Sequence, residues 1–194
     1  MHLVLASASP RRRELLAAAG IACLIDPVDV DERRRAGESP EAYVRRVAED
    51  KARAGAVRHP AAAVLAADTA VVVDADVLGK PADALDAERM LRALAGRAHD
   101  VLTGVALVYG GRLTARVERT SVWMSPLSDA EIQSYVASRE PMDKAGGYAI
   151  QGLASRFIPR IEGSYTNVVG LPVATVAEML AEIRVLAQVA PKPG

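Results

Sequence analysis

Apolar residues fall in short runs separated by breaks that Gly, Pro and Ser mark, and the period of the pattern changes from run to run. Residues 3–6 read as a short buried strand. Ser9 then stands as an N-cap with Pro10 at the first helical position, and Gly20 stops that helix at about residue 19. Residues 21–26 read as a second strand. Charge, Pro27 and Gly37 make 27–38 a loop, and Ser39-Pro40-Glu41 opens a helix that runs to about residue 57. Residues 64–73 are apolar and β-branched; they predict a strand broken by Asp68-Thr69, with a tight turn near Asp74-Ala75-Asp76.

Asp83 and Gly96 bound a helix over 84–95, and residues 99–109 and 112–125 form a hairpin around Gly110-Gly111. Ser128-Asp129-Ala130-Glu131 has the form of a capping box, opening a helix to about residue 138. Residues 141–152 are a Gly-rich loop. Residues 157–161 are strand-like, with Pro159 placing them at a sheet edge. Leu171-Pro172 opens a last helix to about residue 188, and the tail at 190–194 is expected to fray. Hairpins and crossover helices together predict an α/β fold with a mixed sheet. Neither a repeat nor a linker interrupts the pattern, so one domain over residues 1–194 is expected.

Composition narrows the function classes. The chain has 194 residues, 51% of them hydrophobic, enough for a sizeable core. No apolar stretch reaches membrane-span length, and the basic run Arg11-Arg12-Arg13 follows the first apolar run instead of preceding it, so neither a membrane span nor a signal peptide is expected. The single cysteine, Cys23, sits in an apolar context and reads as a core thiol in a reducing compartment, the cytoplasm. Net charge is zero and aromatics are only 4%, which argues against a nucleic acid as a stable partner. A small anion held in one basic pocket fits better. Only four of the 24 basic residues are lysines, and three of them, Lys51, Lys80 and Lys144, fall in the segments that carry chemistry.

The first such segment is Ala6-Ser7-Ala8-Ser9-Pro10-Arg11-Arg12-Arg13, a turn of small residues leading into a helix. A helix N-terminus presents free N–H groups and a positive dipole end, and arginines there oppose the dipole unless an anion joins them. An ordinary N-cap with a solvated basic turn is the alternative. The second segment is Asp68-Thr69 inside an apolar strand, where a carboxylate needs a partner or a metal; a strand-end Asp that caps a turn is the other reading. Gly79-Lys80-Pro81 and Lys51 offer compact cations for phosphate, although either lysine alone could simply face solvent. Asp29-Val30-Asp31-Glu32 could supply a second metal carboxylate or be a solvated loop. In the loop from Glu140 to Gly152, three glycines let backbone approach a ligand, and the Gln151 amide suits a planar base edge; a purely structural loop is the alternative. His2, His59 and His99 lack ligand-like spacing.

Taken together these segments resemble the Maf family of nucleotide pyrophosphatases, on Leu5-Ala6-Ser7-Ala8-Ser9-Pro10-Arg11-Arg12, Asp31-Glu32, Lys51-Ala52, Ala67-Asp68-Thr69, Gly79-Lys80-Pro81, Met90-Leu91, Leu94-Ala95-Gly96, the run from Glu140 to Gly146, Ile150-Gln151-Gly152 and Val169-Gly170-Leu171-Pro172. The order and spacing of the motifs span residues 3–183. The resemblance implies a two-lobed fold like that of inosine triphosphate pyrophosphatases, with an elongated mixed sheet, flanking helices and a central cleft. It also implies hydrolysis of a nucleoside triphosphate to a monophosphate and pyrophosphate with a divalent cation, Mg²⁺ first and Mn²⁺ or Co²⁺ as alternatives, and a homodimer. Ser7, Arg12, Lys51 and Lys80 match the family's phosphate-contacting positions. Glu32 and Asp68 match its acidic, metal-linked positions, and Asp68 matches its proton acceptor. Arg11, Thr69 and Gln151 match the subgroup that acts on dTTP and UTP. Gly147 and Ala149 exchange the family's more usual Ala and Gly beside Tyr148. The same chemistry on non-canonical nucleotides, and a non-enzymatic regulator of septum formation, are the rival readings.

Overall fold

The computed structural model describes residues 2–189; the tail at 190–194 lies outside the described residues. Seven strands make one mixed sheet: β1 (Leu3–Leu5), β2 (Leu24–Ile25), β3 (Ala63–Val73), β4 (Asp76–Leu78), β5 (Ala98–Tyr109), β6 (Arg112–Trp123) and β7 (Arg160–Glu162). The helices are α1 (Pro10–Ala18), α2 (Pro40–Arg58), α3 (Ala84–Leu94), α4 (Asp129–Ala137), α5 (Tyr165–Val169) and α6 (Val173–Val189). Strand order is β2-β1-β3-β5-β6-β7, with β4 beside the far end of β3. β1 is parallel to β2 and β3, and the remaining pairings are antiparallel.

Local chemistry explains most of these boundaries. Gly110 and Gly111 both take positive φ, +56° and +76°, as a tight hairpin between twisted strands requires. Ser128 and Glu131 close the expected capping box at the start of α4. Four elements depart from the expectation. The second strand shrinks to Leu24–Ile25, because only these residues find β1. The last strand begins at Arg160, past Pro159, since residues up to Phe157 belong to a 3-10 turn. The turn at Asp74 continues into β4, and a short helix, α5, precedes α6.

Side-chain alternation along β3 divides the core. Val64, Ala66 and Ala70 face α2 and pack with Val44, Ala48 and Ala52. On the opposite face Leu65 and Ala67 join Leu16 of α1 and Val176 and Met179 of α6. Val71 and Val73, on that same face, join Leu91 and Leu94 of α3 and Tyr135 of α4. Thr69 lies between these two clusters, which are the cores of two lobes. The strand's edge is also interrupted there: β1 accompanies β3 only as far as Leu65, and β4 takes up the pairing at Val71. A strand that is continuous in sequence therefore floors an open cleft in the middle of its length.

Helix α2 lies close to the sheet because Gly104 of β5, opposite Asp68, has no side chain; an added Cβ there would overlap the backbone of Val44. Among the described residues, no helix is long and apolar enough to cross a membrane.

Candidate active site

The cleft at the β3 gap has a volume of about 490 Å³. All nine residues singled out from the sequence line it: Ser7, Arg11 and Arg12 from the β1–α1 turn, Glu32 from the loop before α2, and Lys51 from α2, with Asp68 and Thr69 from β3, Lys80 after β4, and Gln151 from the Gly-rich loop.

Asp68 and Lys51 are its centre. Their residues are only 7% and 8% exposed, and Lys51 Nζ donates to Asp68 Oδ1 at 2.9 Å. Glu32 Oε1 lies 2.8 Å from the same ammonium, so two carboxylates converge on one cation. Burial pushes the Asp68 carboxyl above the usual carboxylate range, against the opposing pull of Lys51 and Arg12. Glu32 adds a smaller upward push. The Asp68 Oδ2 atom accepts no hydrogen bond among the described residues and is the oxygen left for chemistry.

Ser7 is prepared differently. Its Oγ accepts from Ser9 N at 3.2 Å and from Arg12 Nη1 at 3.2 Å, which occupies both lone pairs and leaves the hydroxyl proton to donate. Lys80 is exposed and forms no ion pair among the described residues, so its charge is available to a ligand. Arg11 reaches across the cleft to Asp143, Nη1 to Oδ2 at 3.2 Å, and Lys144 binds the other oxygen of Asp143 at 2.5 Å. Arg12 is more deeply set, and desolvation lowers its pKa although Asp68 and Glu32 oppose that.

The Gly-rich loop is built from short 3-10 turns, Glu140–Asp143, Ala145–Gly147 and Leu153–Phe157. Gly146 has φ +70°, and a Cβ there would come within 2.9 Å of the Val71 side chain. Its N–H donates to Gly79 O at 2.9 Å, which joins the loop to the segment carrying Lys80. The Glu140 carboxylate accepts from Tyr135 Oη at 2.8 Å and from the N–H groups of Leu153 and Ala154 at 3.0 and 3.4 Å, holding the chain on either side of Gln151. Tyr148, inside the loop, meets buried His99 at 2.7 Å. Burial pushes the His99 pKa down to about 4, so it sits there as a neutral imidazole.

A family model described as Maf-like protein matches residues 2–183. The chain belongs to the Maf family. Among similar proteins, a dTTP/UTP pyrophosphatase of Koribacter versatilis is 50% identical over 96% of this chain and 96% of its own. Those of Symbiobacterium thermophilum and Anaeromyxobacter dehalogenans are 53% and 55% identical, over 93% and 92% of both chains. A solved HAM1 protein from Coxiella burnetii shares the fold, with a TM-score of 0.55 at 16% identity, covering 94% of this chain and 99% of that one.

Some parts of this Maf cleft were missing from the sequence reading. Tyr43 lines it, and its phenol is pushed up to about 12, mainly by burial and then by Asp68 and Glu32. A signal existed, because Tyr43, Val47 and Lys51 fall at four-residue spacing on one face of α2. Gly170, which lines the cleft at φ +129° after α5, was not singled out as a contact. Cys23 is half-buried against the lobe of α1 and α6, and burial raises its pKa, so it is a packed thiol and not a thiolate.

Proposed function

We propose that this Maf protein hydrolyses dTTP and UTP to the monophosphate and pyrophosphate, using a divalent cation. The observation that carries the reading is the Asp68 carboxylate on the cleft floor, buried, held at one oxygen by Lys51 and open at the other. Relatives about half identical to the chain bear the name dTTP/UTP pyrophosphatase and support the substrate class. The lone cysteine suits a reducing compartment, and the proposal places the enzyme in the cytoplasm.

Water attacks the α-phosphorus, and the bond from phosphorus to the oxygen that bridges to the β-phosphorus breaks with its electrons on pyrophosphate. Asp68 Oδ2 takes the proton from the water; its raised affinity for protons makes it a better base than a solvated aspartate. Lys51 keeps the carboxylate oriented, and its third N–H is left for the phosphates in the cleft it lines. Lys80 and the Ser7 hydroxyl meet the charge on the chain of phosphates.

Two convergent carboxylates, Glu32 and Asp68, are hard oxygen donors that would hold Mg²⁺ or Mn²⁺. Among the described residues no third acidic, His or Cys side chain joins them. When bound, the cation neutralises charge on the phosphate oxygens. Gln151 presents an amide whose donor and acceptor match the N3–H and carbonyl edge of uracil or thymine.

Incubation with Mg²⁺ and a panel of nucleoside triphosphates tests the reading. UTP and dTTP should be turned over at least about tenfold faster than CTP and GTP, the discrimination expected of about 1.4 kcal/mol in base contacts. Equal turnover of all four would remove the base-reading role from Gln151.

A further inference from the structure

Arg12 has more hydrogen bonds to its own chain than a phosphate ligand would be expected to have. A guanidinium carries five N–H donors. Nε donates to Gly170 O at 2.8 Å, and Nη1 to Ala67 O at 2.7 Å and to Ser7 Oγ at 3.2 Å. Nη2 donates to Thr69 Oγ1 at 3.1 Å. Four bonds therefore go to three segments that are distant in sequence: the β1–α1 turn, β3, and the turn after α5.

Two of the acceptors, Ala67 and Thr69, flank Asp68. They lie in the stretch of β3 that neither β1 nor β4 covers, so Arg12 supplies the Ala67 carbonyl with the donor that a neighbouring strand would otherwise supply. Thr69 is saturated in the same way. Its Oγ1 takes the Arg12 bond, lies 2.9 Å from Thr103 Oγ1 and reaches Gly170 O at 3.3 Å, which uses one proton and two lone pairs. To grip a phosphate with two N–H groups of its fork, Arg12 has one left free on Nη2 and would have to release at least one of these acceptors into a part-buried site.

We propose that Arg12 is a positioning residue: it splints β3 on both sides of Asp68, through the Ala67 carbonyl and the Thr69 hydroxyl, and so aims the carboxylate, and Thr69 acts through it as an anchor instead of touching the base. The proposal rests on the pyrophosphatase reading above.

The test compares kcat with the affinity for α,β-imido-UTP, a substrate analogue that is not cleaved. Arg12→Lys keeps the positive charge but not the four-way fork. It should lower kcat for UTP by about 100-fold, the scale of a small misplacement of a reacting group, while the Kd of the analogue changes by less than about threefold. A Kd weakened by about tenfold or more, with kcat at saturation nearly that of the wild type, would make Arg12 a phosphate ligand and overturn the proposal. Thr69→Val, nearly isosteric, should show the same split, and it carries the test alone if Arg12→Lys does not fold. In the double variant the losses in kcat should fall well short of multiplying, because both remove one bond; full multiplication would also overturn it. A wild type that turns over no UTP defeats the functional reading and the splint with it. An active wild type with an intact kcat in both variants defeats the splint alone.

Discussion

Asp68→Asn should leave the protein folded and lower kcat for UTP and dTTP by about 100-fold or more, the lower range for a positioned general base. The substitution keeps shape and volume, and the Asn carbonyl can still accept the bond from Lys51 Nζ that Asp68 Oδ1 accepts at 2.9 Å. What disappears is the oxygen able to take a proton. Burial already holds the Asp68 proton affinity above that of a solvated aspartate, and an amide has none in this range. Circular dichroism checks the fold, and product release from UTP gives kcat. A folded Asn variant with nearly normal turnover would take Asp68 out of the mechanism.

Lys51→Met should destabilise the metal-free protein by about 3 kcal/mol at neutral pH, the range for removing one partner of a buried ion pair. Met retains the unbranched stem, so packing changes little. The loss comes mainly from Asp68, only 7% exposed, because more than half of the Glu32 side chain is in solvent and can rehydrate. The pH dependence follows from the sign of the Asp68 shift. A carboxyl whose pKa is raised on folding binds its proton more tightly in the folded state. The associated stability is fully present below the unfolded value near 3.8 and is lost as pH rises through the folded pKa. Lys51→Met raises that pKa further, so its penalty should shrink as pH falls through the raised Asp68 pKa and the carboxyl protonates. Asp68→Asn in the same background should recover most of the loss. Urea denaturation of the four proteins measures both effects, and a Lys51→Met loss below about 0.5 kcal/mol, typical of an ordinary surface change, would mean that the pair contributes little.

Much of this architecture was legible in the sequence because its signals are local. The Ser-Pro helix starts, the Ser128–Glu131 capping box and the Gly110-Gly111 turn each act within a few residues. Asp68 stood out because a carboxylate in an apolar strand requires a partner, and Lys51 is that partner. The elements missed are short. β4 has three residues and α5 five, too few for a period to register, and both are held by tertiary contacts. The two readings left open for the Ala6–Arg13 segment could not be separated locally, because three of the four acceptors of Arg12 lie 55, 57 and 158 residues away. The same holds for Glu140, whose grip on Leu153 and Ala154 is visible only once the loop has closed. Nor could sequence reveal that β3 lacks a neighbour on one edge between Leu65 and Val71, the interruption that turns a buried strand into the floor of a cleft.

The central claim is that water, deprotonated at Asp68, attacks the α-phosphorus of a pyrimidine nucleoside triphosphate. Hydrolysis of UTP in ¹⁸O-water under single-turnover conditions with Mg²⁺, followed by mass spectrometry of both products, tests it most directly. The account predicts one heavy oxygen in UMP and none in pyrophosphate. Heavy oxygen in pyrophosphate, or UDP and phosphate as the products, would contradict it.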